Sequence, residues 1–258
     1  LTSSPIVVSG LAITPIKGTR LQAVDRVELD LDGARGNRRF FVIDERDRML
    51  NGKQLGDLSA VVAQEIDGTM RLTFPGGDAV EGRVEVGPPV TTAFFSRTVE
   101  GRLVVGPWSE ALSRYLDQQL RLVQAIGSVD RGRRGAASLI SRASLARLAD
   151  VAGKSEVDGR RFRMLIEVDG VLAHGEDRWV GRTVQIGNAV VRWVGHAGRC
   201  LVTTRHPETG SVDLPTLDLL RQYRGDAETT EPLAFGIFGE VVRAGAVRLW
   251  DPVAFPHS

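Results

Sequence analysis

The residues best suited to chemistry stand together in Gly195-His196-Ala197-Gly198-Arg199-Cys200-Leu201-Val202-Thr203-Thr204, followed by Arg205-His206-Pro207-Glu208-Thr209-Gly210. This stretch holds the chain's single cysteine. The β-branched run predicts a short strand over 199–204, with Cys200, Val202 and Thr204 on one face. Gly195 and Gly198 let the backbone crowd a neighbour at the strand's entrance, and Arg199 adds positive charge of the kind that favours a thiolate. A thiolate serves as nucleophile, sulfur carrier or soft-metal ligand. A lone cysteine is also often a small buried hydrophobe, and its chemistry alone leaves both readings open. His196 and Cys200 have the i, i+4 spacing of zinc ligands on a helix, but at a strand entrance that spacing does not pair them. His174, His196 and His206 read as loop residues.

The elements that must position this stretch are mostly strands. Residues 6–13 form an apolar strand. Val24, Val27, Leu29 and Leu31 alternate before an Asp32-Gly33 turn, and Arg38 to Asp44 is a further strand. Residues 60–66 and 69–74 read as a hairpin about Asp67-Gly68, followed by a strand at 83–86. Short strands with frequent turn signals and no intervening helix argue for a β-barrel. Trp108, Leu112, Tyr115, Leu116 and Leu120 then share one helical face after Gly106-Pro107. Beyond a strand at 121–126, Arg131-Gly132-Arg133-Arg134-Gly135 is a basic turn. Ser141 is an N-cap for a helix over 142–151. Strands near 163–168, 183–186 and 190–194, a helix over 214–223, and strands at 233–242 and 247–250 complete the chain. The expected class is mainly β with a few helices (α+β), in two β-barrel-like domains, 1–106 and 107–258, with a cleft between them.

Composition narrows the function classes. The 258 residues carry a formal net charge of +1, so no global field points to nucleic acid or to a membrane surface. No apolar run approaches the ~20 residues of a membrane helix. The start, Leu1-Thr2-Ser3-Ser4-Pro5, lacks the basic and apolar regions of a signal peptide. One cysteine permits neither an internal disulfide nor an iron–sulfur cluster held by this chain alone. A cytoplasmic location is expected, with electrons supplied from outside the chain.

The segment Arg199-Cys200-Leu201-Val202-Thr203-Thr204, then Pro207-Glu208-Thr209-Gly210, resembles the signature of the MOSC family, named for the C-terminal domain of molybdenum cofactor sulfurase. Supporting pieces run from Ile13-Thr14-Pro15-Ile16-Lys17 to Asp251-Pro252-Val253, so the resemblance covers almost the whole chain. It includes the N-terminal β-barrel domain of the amidoxime-reducing branch. The resemblance implies a molybdenum pterin cofactor with Cys200 as metal ligand and catalytic residue. It implies cofactor contacts from Lys17, Arg39, Arg163, Gly198, Arg199 and Phe238, the last a tyrosine in some relatives. A cofactor phosphate would need several charge-assisted contacts, so Lys17, Arg39 and Arg163 are expected to converge on a cleft, with Cys200 partly buried at its bottom. Glu176-Asp177-Arg178-Trp179 is similar to a family Glu-Asp-x-Trp, in which Trp179 packs and Asp177 orients the loop.

The chain departs from the amidoxime-reducing relatives in three places. Gly18 replaces a serine, Arg133-Arg134-Gly135-Ala136-Ala137 replaces an Asp-Thr-Ser-Pro segment, and Met164-Leu165 replaces Pro-Asn. These changes remove small polar contacts near the expected phosphate and pterin.

Three function classes follow. The first is a molybdenum-dependent oxidoreductase that reduces N-hydroxylated or other N–O or S–O substrates, with an external electron-transfer protein or reductase as partner. The second is a sulfur carrier or cofactor-maturation protein that bears a Cys200 persulfide, with a cysteine desulfurase as partner. The third is a non-catalytic binding module.

Overall fold

A computed structural model describes residues 5–94, 97–127 and 129–255. The opening residues 1–4, on which part of the leader reading rests, lie outside the described residues. The fold is mainly strands, with three α-helices among the described residues: Trp108–Leu116, Arg142–Val151 and Thr216–Arg224. No helix among the described residues is long and apolar enough to cross a membrane.

An eight-stranded sheet forms the larger unit. Its order is Val253–Ala254, Thr183–Ile186, Ala189–Gly198, Ala234–Arg243, Ala137–Ser141, Ile166–Asp169, Val7–Ile13, Gln22–Ala23. Only the pairing of Ala137–Ser141 with Ile166–Asp169 is parallel among the sheet's extended ladders. The strand Val7–Ile13 thus joins, next to the short edge strand Gln22–Ala23, a sheet built mostly from the second half of the chain. Arg26–Asp30 makes the same crossing and pairs with Gly245–Arg248. Alternation explains why: Val8 and Leu11, like Val27 and Leu29, present buried faces to a core that includes Trp193, Ile166 and Ile237.

The smaller unit holds the sheet Phe40–Ile43, Arg121–Ala125, Arg97–Val105, Glu85–Phe94 and a meander over Val62–Ile66, Thr69–Thr73 and Ala79–Arg83. The helix that sequence assigned to the second domain packs here. Trp108 and Leu112 are fully buried against a core containing Met70, Leu72 and Phe40, and the Trp108 indole N–H donates to the Met70 carbonyl at 3.2 Å.

The Ser141 cap forms as expected, accepting the Ser144 N–H at 3.1 Å. Glu176 reinforces it. Its buried carboxylate accepts from both the Ser141 and Ser144 hydroxyls at 2.8 and 2.7 Å, so Glu176 pins the helix start. Its neighbour Asp177 accepts from Arg224 at 2.8 Å, and Trp179 is buried in the sheet core.

Candidate functional site

The strand Ala189–Gly198 carries the cysteine segment outward and stops. The strand expected over 199–204 is instead a 3₁₀ turn, Leu201–Thr204, with Cys200 at its N-cap in extended backbone. The reason lies in the threonines. The Thr203 hydroxyl donates to the Cys200 carbonyl at 3.0 Å, and the Thr204 hydroxyl to the Leu201 carbonyl at 2.7 Å. Such local back-bonding competes with a sheet ladder. Cys200 is exposed rather than partly buried, and it lines a cavity of about 650 Å³.

Arg199 is anchored to backbone. Its guanidinium donates to the carbonyls of Phe235 and Phe162, the latter at 2.9 Å, and lies 3.1 Å from the Met164 sulfur. Burial holds it below the usual guanidinium range, and Cys200 is the charge that most counters this. Gly198 is fixed by its own N–H, which donates to Glu231 at 2.9 Å. Arg131 pairs with the same carboxylate and stacks 4.2 Å from the centre of the Phe238 ring. Gly198, Arg199 and Phe238 all line the cavity beside Cys200.

A basic group occupies another part of the wall. Lys17 and Arg38 both form ion pairs with Asp130. A guanidinium nitrogen of Arg38 donates to the Arg163 carbonyl at 2.6 Å, and Arg163 donates to the Thr19 carbonyl at 2.8 Å. Arg38 and Arg163 both have left-handed backbone, φ 51° and 56°, uncommon for residues with a Cβ. Desolvation lowers the pKa of Lys17 and of Arg163, and the Arg38 charge adds to both shifts. Asp130 is held well below the usual carboxylate range by Lys17 and Arg38, against a desolvation that pushes it up.

Lys17 and Arg163 are therefore brought together, but Arg39 is not. Arg39 pairs with Glu65 at 2.8 Å and lies over the Phe40 ring, away from the cavity. Arg38 takes the place expected of it. Two adjacent arginines before a buried strand are equivalent by type, and only the direction of each side chain separates them. Asp130 left no sequence signal, because its partner Lys17 is 113 residues away.

Other expectations shift in detail. His196 is a buried strand residue whose Nδ1 accepts the Thr230 N–H at 3.1 Å. The basic turn is divided: Arg133 bonds to exposed Asp32 at 2.8 Å, while Arg131 lines the cavity. Gly18 has φ +101°, a left-handed backbone that strains any residue with a Cβ, and a Cβ there would come within 2.7 Å of the Leu58 side-chain end. Leu165 is core, with its N–H bonded to Ser138 at 3.0 Å.

Nine lysines and arginines line the cavity against one carboxylate, Asp130. Arg131, Arg160 and Arg161 are neutralised from behind by Glu231, Asp158 with Glu208, and Asp213. Among the described residues no cluster of three or more His, Cys, Asp or Glu could hold a metal ion. What the wall offers is one accessible thiol and an excess of fixed positive charge. It fits an anionic ligand that brings its own metal donors.

The family models match accordingly. Residues 6–120 match the MOSC N-terminal beta barrel domain and residues 127–254 the MOSC domain. The chain is 28% identical to mitochondrial amidoxime reducing component 2 of Bos taurus, over 95% of this chain and 82% of that protein. It is 26% identical to mitochondrial amidoxime-reducing component 1 of Xenopus laevis, over 96% and 81%. Among solved structures, the YUAD protein of Bacillus subtilis aligns with a TM-score of 0.46 at 14% identity, over 97% of this chain and 94% of that one.

Proposed function

The chain belongs to the MOSC family, and on that premise we propose that it is a molybdenum-cofactor-dependent reductase of N-hydroxylated substrates. The observation that carries the reading is the exposed Cys200 thiol on the wall of a cavity that also holds Lys17, Arg38 and Arg163. Cys200 would ligate the metal, and the basic group would take the cofactor phosphate. Arg38, rather than Arg39, is the arginine we assign to this clamp.

Bound in this cavity, the cofactor would supply a metal centre able to pass an electron pair to an N–O bond. The protein's part is to hold and orient. Glu231 and Arg131 fix the strand end before Cys200 and the Phe238 ring beside it. Arg199 keeps a buried positive charge behind the thiol, held by backbone carbonyls rather than by an acid. Reduction of an amidoxime to an amidine consumes two electrons and two protons and releases the oxygen as water. The protons come from solvent through the open cavity, and the electrons from an external electron-transfer protein or reductase.

The test is expression in a host that makes the molybdenum cofactor, followed by reduction of benzamidoxime with a chemical or protein donor. Amidine formation that depends on both metal and donor is the expected result. A metal-free protein that instead gains a reductant-labile sulfur atom on Cys200 from a cysteine desulfurase would replace the reductase with a sulfur carrier.

A further inference from the structure

Among the nine basic side chains of the cavity, two separately tied groups stand out, and the second has no part in the cofactor clamp. Lys17, Arg38 and Arg163 are joined through Asp130 and the Arg163 carbonyl. Arg205 and Lys53 form the second group. One Arg205 guanidinium nitrogen donates to the Gly210 carbonyl at 2.7 Å, and the other to the Lys53 carbonyl at 3.4 Å.

The guanidinium also lies against Gly56, so closely that a Cβ there would come within 2.2 Å of Nη1. It is therefore held in one place by backbone on two sides. Those two bonds use two of its five N–H groups, and the other three have no partner among the described residues. No carboxylate forms an ion pair with Arg205 or Lys53 among the described residues. The acid in the same turn, Glu208, pairs with Arg160 at 2.8 Å. A fixed, unneutralised guanidinium on a cavity wall, with an exposed lysine beside it, is an anion-recognition element.

Its position relates it to the thiol. A Cβ at Gly52 would lie 3.3 Å from Val202, two residues beyond Cys200. The loop from Asn51 to Gly56 thus packs on the cysteine turn, and Arg205 and Lys53 flank that contact. Both line the cavity.

We propose that Arg205 and Lys53 are specificity-determining residues that select N-hydroxylated substrates bearing a carboxylate. The inference rests on the reductase reading for its reaction but not for its binding term. The Lys17 group is left for the cofactor phosphate, and the second group lines the same cavity as Cys200. The planar, bidentate donor set of arginine matches a carboxylate, and Lys53 adds charge without fixed geometry.

The experiment compares benzamidoxime with 4-carboxybenzamidoxime, which differ only in the carboxylate. On the cofactor-loaded protein, kcat/KM is expected to favour the carboxylate by about tenfold or more, one charge-assisted hydrogen bond's worth. Arg205→Gln should abolish that ratio and Arg205→Lys should restore part of it. Lys53→Glu, an exposed side-chain change that keeps the Lys53 carbonyl bonded to Arg205, should reduce or reverse it. Calorimetric binding of both compounds to the same protein, without an electron donor, should give the same order of affinities. Equal kcat/KM and equal affinity for the two compounds would overturn the proposal. Preferential binding of the carboxylate with no turnover of either compound would refute the reductase reading and leave the recognition site standing.

Discussion

The backbone N–H of Gly198 donates to Oε2 of Glu231 at 2.9 Å, which ties the end of the strand leading to Cys200 to the loop before Ala234–Arg243. A Cβ at Gly198 would lie 2.7 Å from that oxygen and 3.1 Å from the Pro232 carbonyl. Gly198→Ala is therefore expected to displace Glu231 and loosen the Cys200 turn. The cost should be about 1–3 kcal/mol, as for other overpacked sites, read as a lower Tm and faster alkylation of Cys200. A variant with unchanged Tm and thiol reactivity would show that the contact fixes nothing.

Cys200→Ser separates chemistry from stability. The thiol is exposed and makes no core contact, so thermal stability should stay within about 0.5 kcal/mol of the parent. Metal content should fall sharply, because a serine hydroxyl replaces a thiolate poorly at a soft centre. Retained molybdenum in the serine variant would remove Cys200 from the ligand set.

Arg38 and Arg39 make an internal control. Arg38→Met should lower cofactor occupancy, since it removes a cation from the cavity wall and leaves Asp130 paired with Lys17 alone. Arg39→Met should leave occupancy unchanged, because that side chain is a half-exposed partner of Glu65 outside the cavity. The comparison is read from phosphate and metal released per chain after denaturation. The opposite ranking would return the assignment to Arg39.

His174 gives a pH signature away from the cavity. Burial, with the charges of Arg224 and Arg147, pushes its pKa down to about 4 from an ordinary value near 6.5, while Asp177 opposes the shift. Neither ring nitrogen has a hydrogen-bond partner among the described residues. Below the ordinary value the unfolded chain takes up a proton that the folded chain refuses, so stability contributed by neutral His174 is lost as pH falls from about 6.5 toward 4. His174→Phe should flatten that part of the Tm–pH curve. An unaltered curve would mean that the imidazole takes up its proton at the same pH in the folded and unfolded chain.

Much of this arrangement is legible in the sequence where the signal is local. The spacing of Trp108 and Leu112 marks the first helix, Ser141 marks the start of the second, and alternation marks Arg26–Asp30 and the Asp67-Gly68 hairpin. The strands Arg97–Val105 and Ala137–Ser141 went unread beside a glycine and a basic turn that signal loop. At the site, Val202-Thr203-Thr204 has strand composition, yet the threonine hydroxyls close a turn on their own backbone. Arg38 and Arg39 are the same residue type, and only the folded backbone and the side-chain directions it sets separate them. The pairing of Asp130 with Lys17, and the seat of Arg205 on Gly56, depend on contacts between distant segments that no local pattern announces.

The most direct measurement is molybdenum per chain together with intact mass, on one sample purified from a host that synthesises the cofactor. Stoichiometric molybdenum with an unmodified Cys200 is the predicted result, since the thiol would be occupied as a metal ligand. A metal-free chain, with or without a reductant-labile sulfur on Cys200, would contradict it.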